Sequence, residues 1–329
     1  MSDLKVVPAT RQGIKPLVGV YGKSGGGKTR TALIMARGIV GPTGRITLID
    51  TENGRGSIFV DVIEGRYNTL ALDAPFTPER YTEALTIAEK ESDIIVYDSM
   101  AHEWDGEGGV LEMQEAELQR MAGNDYAKRE RCKMAAWIKP KMEHKAFVQR
   151  LLRSKLPIIC CLRAQEKTHM VKEGGQTKVI TDEFTTPIYD NKFIFEMLIC
   201  AEIYQKNGRG GYLHITKITH EGLFDALPKD DEQFTYEHGR KLAAWCASPN
   251  KAPESFKQAS KATDPLKALK HQLWDLTKSK HNEDKKALER FLIDENCMSD
   301  TETLDGLTLE RLPEVIKRAK EKLTPQTLI

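Results

Sequence analysis

Residues 17–29 read LVGVYGKSGGGKT, a mostly apolar run followed by the octet GKSGGGKT at 22–29. The octet has the spacing G-x-x-x-x-G-K-[ST] and lies between a strand-like run and a helical pattern. Its glycines let backbone N–H groups surround a phosphate at a helix N-terminus, the lysine reaches phosphate oxygens, and the threonine hydroxyl ligates Mg²⁺. We therefore predict that ATP or a related nucleoside triphosphate binds with Mg²⁺ to Gly22, Lys23, Ser24, Gly25, Gly26, Gly27, Lys28 and Thr29.

Short apolar runs alternate with helical patterns over the first half of the chain, which is typical of a parallel sheet with crossover helices. Strands that are buried on both faces are expected to be apolar throughout. The predicted strands are residues 17–21, 46–50, 93–97 and 157–162, and the predicted helices are 28–39, 78–90 and charged stretches within 109–154. The fold class is α/β with a mostly parallel sheet.

The pattern changes to hairpins after Lys167. Gly174 and Gly175 lie between two short β-prone runs, and residues 207–211 (NGRGG) lie between LICAEIYQK and GYLHITKI. We expect these hairpins to extend the sheet in antiparallel fashion. A last helix over residues 236–246 is predicted to complete this domain.

Four segments follow from the composition. Residues 1–15 form an N-terminal tail, 16–246 the α/β domain, and 247–264 a linker rich in Pro, Ser, Ala and Lys without apolar periodicity. From residue 265 to 329 apolar residues recur at helical spacing, as in Leu266, Leu269, Leu273 and Leu276. This predicts a small all-helical C-terminal module of three or four helices.

The overall composition excludes several classes of protein. The 49 Lys and Arg residues balance 48 Asp and Glu residues, so no global field attracts nucleic acid or membrane. Six cysteines without a CxxC spacing indicate reduced thiols, and the eight histidines have no zinc-ligand spacing. No apolar run of about 18 residues predicts a membrane span. We expect a cytoplasmic protein, in the host cell if a phage encodes it.

Two acidic positions complete the predicted site. Asp98 ends the apolar run DIIVYD, at the carboxyl end of a strand, where ligands of doubly wound sheets bind. Its carboxylate is predicted to hold Mg²⁺ directly or through water, although it could instead cap the next loop. Glu52 follows the run ending at Asp50 and could polarise an attacking water, or be an ordinary exposed loop acid.

The strings IDTE at 49–52 and VYDS at 96–99 resemble the core of RecA-type recombinase ATPases. VYGKSGGGKT, the HEW string after VYDS, and IICCLRAQEK extend the resemblance to bacteriophage-type ATPases with a RecA-like core, over about residues 15–245. The resemblance implies a RecA-like P-loop NTPase fold, with Glu52 as the catalytic base. It also implies ATP hydrolysis during phage-type recombination or annealing of single-stranded DNA by a homo-oligomer with nucleotide at subunit interfaces.

This chain departs from the family pattern at the γ-phosphate sensor. RecA-type enzymes usually have Asn-Gln where this chain has Leu162-Arg163. Arg163 could contact the γ-phosphate as a cation, Gln165 could take the role instead, or Arg163 could be an ordinary surface residue.

The strand HITKITHEG resembles the segment that presents a lysine to a neighbouring subunit's nucleotide, which makes Lys217 a candidate. Strand alternation makes Lys217 equally plausible as a solvent-facing residue.

DNA contact has two candidate segments. The first is basic and interleaved with Tyr126, Trp137 and Phe147, as sequence-indifferent strand binding requires, although a solvated amphipathic helix has the same composition. Its cations are Arg120, Lys128, Arg129, Arg131, Lys133, Lys139, Lys141, Lys145, Arg150, Arg153 and Lys155. The second is 167–190, with Lys172 and Lys178. The C-terminal module resembles helical tails of phage annealing proteins that recruit a single-strand-binding protein. Its lysine-rich helices could also contact DNA or an acidic peptide, or the module could be a structural cap.

Other functions of the same core stay open. Lys23 lies where variant phosphate loops of partitioning proteins have a second lysine, which suggests a nucleotide-switched partitioning or assembly protein, but Ser24 replaces the usual glycine there. A helicase loader, a packaging motor, or a module in which ATP only supports assembly would share the same loop.

Overall fold

The computed structural model describes residues 13–173, 176–182, 184–229, 232–248, 265–281 and 284–323. The chain divides into two compact units, Arg11–Asn250 and a second formed by Lys251–Ile329 together with Met1–Thr10. Each unit is described by itself.

The strands of the first unit form one large and one small sheet. They are β1 (Leu17–Gly22), β2 (Ile46–Asp50), β3 (Asn68–Ala71), β4 (Ile94–Asp98), β5 (Ile158–Gln165), β6 (Thr168–Glu173), β7 (Gln176–Thr181), β8 (Thr186–Pro187), β9 (Ile199–Lys206) and β10 (Arg209–Ile218). The large sheet has the order β10-β9-β1-β5-β4-β2-β3, and β8 pairs with the end of β5. Its strands from β3 to β9 are parallel along this order, whereas β10 is antiparallel to β9.

The predicted mixed α/β architecture with a mostly parallel sheet is confirmed, and the hairpin of β9 and β10 extends it in antiparallel fashion. The expectation for the earlier hairpin is wrong, because β6 and β7 form a separate two-stranded sheet. Gly174 and Gly175 lie outside the described residues. Strand β3 was not predicted, because its sequence NTLA is a largely exposed edge without an apolar run.

Helices cover both faces of the large sheet. They are α1 (Lys28–Val40), α2 (Pro78–Glu91), α3 (Ala101–Asp105), α4 (Val110–Ala122), α5 (Tyr126–Cys132), α6 (Ile138–Leu152), α7 (Phe193–Glu196) and α8 (Tyr236–Ala247). Successive residues of a strand enter different cores: Ile94 and Val96 join one core cluster, and Ile95 and Tyr97 join the other. The first core includes α1 and α8, and the second includes α2 and α6.

The second unit is helical in its described residues. It contains α9 (Pro265–Leu276), α10 (Lys278–His281), α11 (Lys285–Asp294) and α12 (Leu312–Leu323). Leu273, Leu288, Leu292, Val315 and Ile316 form its core, which is separate from the two cores of the sheet unit. Among the residues placed by the structure, no helix combines the length and the apolar character needed to cross a bilayer.

Candidate functional site

A cleft of about 880 Å³ opens at the carboxyl ends of β1, β4 and β5. These ends meet because the three strands are parallel and adjacent in the order β1-β5-β4. The cleft is lined by Gly22, Ser24, Gly25, Gly27, Lys28, Thr29, Arg30, Glu52, Arg55, Ile58, Phe59, Asp98, Arg163, Ala164, Ile188, Arg209, Gly210 and Gln233.

The glycine-rich loop connects β1 to α1 and forms one wall of the cleft. Gly25 and Gly27 have φ angles of 81° and 97°, a left-handed conformation that favours glycine over other residues. Gly27 is the N-cap of α1 and supplies no side chain to cap the helix. The first N–H groups of α1 therefore have no capping side chain and can bind an anion.

Lys28 lies over this loop. Its Nζ donates to the carbonyl oxygens of Gly22 at 3.0 Å and Lys23 at 2.9 Å. The ammonium is thereby held against the loop backbone, and Lys28 lines the same cleft as Gly25 and Gly27. This arrangement can bind a polyanion such as a chain of phosphates.

Thr29 and Asp98 are joined across the cleft floor, since Thr29 Oγ1 donates to Asp98 Oδ2 at 2.6 Å. Only 5% of Asp98 is exposed. Burial raises the pKa of this carboxyl to about 6, although the hydrogen bond from Thr29 works in the opposite direction. A buried carboxylate beside a hydroxyl is a pair of hard oxygen ligands, as Mg²⁺ requires.

The two acids at the carboxyl end of β2 differ in their contacts. Asp50 is buried, and its two carboxylate oxygens accept the N–H of Glu52 at 2.7 Å and the N–H of Gly56 at 2.8 Å. Asp50 therefore shapes the turn after the strand. The turn directs Glu52 into the cleft, where its side chain is largely buried but still accessible.

Arg163 forms an ion pair with Glu52, with 3.3 Å between Nη2 and Oε1. Arg55 approaches the other oxygen of Glu52 at 3.6 Å. Arg163 lines the cleft at the end of β5, whereas Gln165 pairs with Thr186 of β8 and does not line the cleft. Of the two sensor candidates, the structure thus brings Arg163 to the predicted base.

A buried hydrogen-bond network supports these residues from behind. Thr51 Oγ1 accepts the N–H of Ser99 at 2.8 Å and lies 2.7 Å from Nδ1 of His102. Burial lowers the pKa of His102, and the positive charge of Arg163 lowers it further. Because Thr51 precedes Glu52 and Ser99 follows Asp98, the network fixes the two strand ends relative to each other. The HEW string that contains His102 was singled out from the sequence, but the contact of His102 with Thr51 was not predicted.

Two other lysines lie away from the cleft lining. Nζ of Lys217 donates to the carbonyls of Ile194, Phe195 and Met197 at 2.8, 2.6 and 2.7 Å. All three ammonium protons are thus donated to carbonyls of the same chain, and the side chain stabilises the end of α7. The role of Lys217 toward a neighbouring subunit's nucleotide stays a prediction. Lys23 forms an ion pair with Glu166 and faces a second cavity behind the loop.

Sequence reasoning missed several cleft residues. Arg30, Arg209 and Gln233 also line the cleft, and Arg209 is brought there by the hairpin of β9 and β10. No local pattern connects residues so far apart in the chain. The lining has five cations and two acids, namely Lys28, Arg30, Arg55, Arg163 and Arg209 against Glu52 and Asp98. This excess of positive charge suits an anionic ligand.

In the basic segment of α4 to α6, fewer aromatic side chains are exposed and fewer cations are unpaired than expected from the sequence. Phe147 is 1% exposed and belongs to the core, so it cannot stack on a base. Trp137 stacks on Trp104, and of the three aromatics only Tyr126 is largely exposed, at 78%. Five of the cations form ion pairs with acids of the same chain, namely Arg120, Arg129, Lys133, Lys139 and Arg150. The side chains of Lys172 and Lys178, in the second candidate segment, lie outside the described residues.

Within the described ranges, no group of three or more His, Cys, Asp and Glu side chains could hold a metal ion by itself. A scan against protein-family models and a search of curated proteins found no match to this chain.

Proposed function

We propose that this protein has a RecA-like P-loop fold and hydrolyses ATP, or a related nucleoside triphosphate, with Mg²⁺ in this cleft. The observation that carries the proposal is the hydrogen bond between Thr29 and Asp98 at the foot of the glycine-rich loop. It brings together a hydroxyl and a carboxylate, which are ligands that Mg²⁺ prefers, and Glu52 lines the same cleft, which supports the proposal.

Each side chain has a separate task in this proposal. The loop N–H groups and Lys28 bind and orient the phosphates, which positions the reacting phosphorus. Thr29 and Asp98 would hold Mg²⁺, which neutralises charge on the phosphate oxygens when bound. Glu52 accepts a proton from the attacking water or orients it. Together with Thr29 and Asp98, water and the substrate phosphates would supply the oxygen ligands that Mg²⁺ prefers.

Arg163 connects binding to hydrolysis. It is 46% exposed and pairs with Glu52, so it can turn toward a γ-phosphate without leaving a buried charge unpaired. Contact with the γ-phosphate would separate the arginine from Glu52 and make that carboxylate available to water. The cation then stabilises the charge that develops on the transferred phosphoryl group.

ATP hydrolysis is proposed to act on single-stranded DNA, in phage-type recombination or strand annealing in the cytoplasm. The resemblance of the motifs supports this. So do the exposed Lys128, Arg131, Lys141, Lys145 and Arg153, which have no acidic partner among the described residues and could neutralise phosphates. A second copy of the chain is proposed to adjoin the cleft, where Ile58 and Val60 are 66% and 62% exposed. The C-terminal helical module is proposed to recruit a single-strand-binding protein.

The nucleotide-switched alternative has less support. It depends on Lys23 acting at the phosphates, but the Lys23 ammonium pairs with Glu166 behind the loop. We therefore retain hydrolysis coupled to DNA as the main proposal.

The test is an ATPase assay with and without a single-stranded oligonucleotide on wild type, Lys28→Ala and Glu52→Gln. We expect Lys28→Ala to lose nucleotide binding. Glu52→Gln should keep binding and lose roughly a hundredfold or more in turnover, as expected for loss of a general base. Normal turnover in Glu52→Gln would refute the assigned base. Absence of both DNA binding and DNA stimulation in wild type would refute the DNA part of the proposal.

A further inference from the structure

The outward-facing carbonyl oxygens of the glycine-rich loop have hydrogen-bond partners on the hairpin of β9 and β10. The N–H of Gly211 donates to Gly26 O at 2.9 Å, and Nε2 of Gln205 donates to Gly25 O at 2.7 Å. The first partner is backbone and the second is a side chain. The loop is thus held from behind by a hairpin nearly 180 residues further along the chain.

The hairpin and the loop are in direct backbone contact. A Cβ atom added at Gly22 would lie 2.2 Å from the carbonyl oxygen of Ile203, and one added at Gly27 would lie 2.9 Å from the nitrogen of Gly211. No side chain fits between them. On the far side, Nε2 of Gln233 donates to the carbonyl of Gly210 at 2.6 Å and secures the hairpin itself.

These bonds fix the direction of the loop N–H groups, because the C=O and N–H of a trans peptide point in opposite directions. The carbonyl of Gly26 is bound to the hairpin, so the N–H of Gly27 points to the other side, and Gly27 lines the cleft. The carbonyl of Gly25 is bound to Gln205, and the N–H of the same peptide donates to Lys23 O at 3.2 Å, which closes the turn. Both orientations are set without a ligand.

We propose that Gln205 is a positioning residue for the phosphate loop, an inference that rests on the proposed nucleotide binding. Gln205 does not line the nucleotide cleft. It lies in the cavity of about 590 Å³ behind the loop, together with Lys23 and Gly26, so any effect on nucleotide must pass through the loop. Loss of its hydrogen bond leaves the Gly25 carbonyl free to turn toward the phosphates, where it would repel them.

The test compares Gln205→Met, which keeps the length and removes the donor, with Gln205→Lys, which keeps a donor. Gln149→Met, on the exposed side of α6, is the matched control. The probe is ADP with Mg²⁺, titrated by isothermal calorimetry, and kcat and KM for ATP are measured in parallel. One hydrogen bond corresponds to roughly a fivefold to tenfold change in affinity. We expect Gln205→Met to weaken ADP binding by about that factor and to raise KM, with kcat at saturation within about twofold of wild type.

Gln205→Lys and Gln149→Met should bind ADP nearly as wild type does. Equal ADP affinity in Gln205→Met and wild type would overturn the inference. If Gln205→Met lowers the melting temperature, Gln205→Lys decides: wild-type affinity supports the positioning role, and affinity as weak as that of the methionine variant overturns it. A wild-type protein that binds no ADP would instead refute the proposed function, which is a distinguishable failure.

Discussion

Glu52 is shared between two arginines, with Arg163 Nη2 at 3.3 Å from Oε1 and Arg55 Nη1 at 3.6 Å from Oε2. Each carboxylate oxygen of Glu52 therefore faces a guanidinium rather than an attacking water. In the proposed mechanism, Glu52 acts on water only after an exchange of partners in which a phosphate takes Arg163. The arginine that replaces the usual polar sensor is, on this view, a gate on the base as well as a ligand of the phosphate.

The first prediction concerns Arg163→Ala. The variant frees Oε1 of Glu52, but it also removes the cation that would stabilise the transition state. The second effect is larger, because loss of one preorganised donor at a developing charge typically costs about a hundredfold or more in kcat. We expect single-turnover hydrolysis to slow by that order while ADP affinity changes little. Arg55→Ala is the control, and it should retain most activity. Equal losses in both variants would contradict a specific role for Arg163.

The second prediction concerns Asp98→Asn and its opposite effects on stability and activity. The pKa of Asp98 is raised from 3.8 to about 6 because the carboxyl is buried. The folded state therefore holds a proton that the unfolded state has released between these pH values. The free energy of unfolding falls as pH rises through this window, and the loss is complete above about pH 6. Two pKa units correspond to about 3 kcal/mol.

Asn at this position cannot ionise and can still accept the hydrogen bond from Thr29. We expect Asp98→Asn to be more stable than wild type at pH 8 without Mg²⁺, by up to about 3 kcal/mol, and to lose this advantage at acidic pH. Mg²⁺-dependent hydrolysis should be abolished. Urea unfolding at pH 5 and pH 8 measures the first effect. A variant less stable than wild type at pH 8 would show that the carboxylate is better solvated than its burial indicates.

The third prediction concerns a buried carboxylate–imidazole hydrogen bond that holds α3 in place. Glu103 is fully buried and accepts from Nδ1 of His144 at 3.0 Å, while Nε2 of the same ring lies 3.6 Å from Asp190. His144→Ala leaves the Glu103 carboxylate buried without its partner, which typically costs about 3–5 kcal/mol. Urea unfolding should show a loss of this size, whereas Tyr126→Ala on an exposed surface should change the free energy of unfolding by less than about 0.5 kcal/mol. A small loss in His144→Ala would mean that water replaces the imidazole.

The sequence was informative where chemistry and local pattern coincide. The loop around Lys28 and the apolar strands that precede Glu52 and Asp98 could be predicted because each is contiguous and has a fixed spacing. Parallel pairing of β2 and β4 then brings Asp50 opposite Asp98, at the carboxyl ends of both strands.

Relationships between distant segments could not be predicted. The ion pair of Arg163 with Glu52, the reach of Arg209 into the cleft and the contact of Gln205 with the loop depend on the sheet order, which local patterns do not encode. The contacts of Lys217 could not be predicted either. Its strand position was recognised, but two of its carbonyl partners, Ile194 and Phe195, belong to the short helix α7, and the third, Met197, directly follows that helix.

The last prediction separates Asp50 from Glu52, two acids that are adjacent to the same turn. Both oxygens of Asp50 accept backbone N–H groups, whereas an asparagine would place an NH₂ group against one of them. Asp50→Asn should therefore lower the free energy of unfolding by about 1–3 kcal/mol. It should also lower kcat for ATP, because the turn that carries Glu52 loosens, with ADP affinity unchanged since the phosphate loop follows a different strand. Asp61→Asn, an exposed acid nearby, is the control and should match wild type. Full turnover in a destabilised Asp50→Asn would show that Glu52 does not depend on this turn for its position.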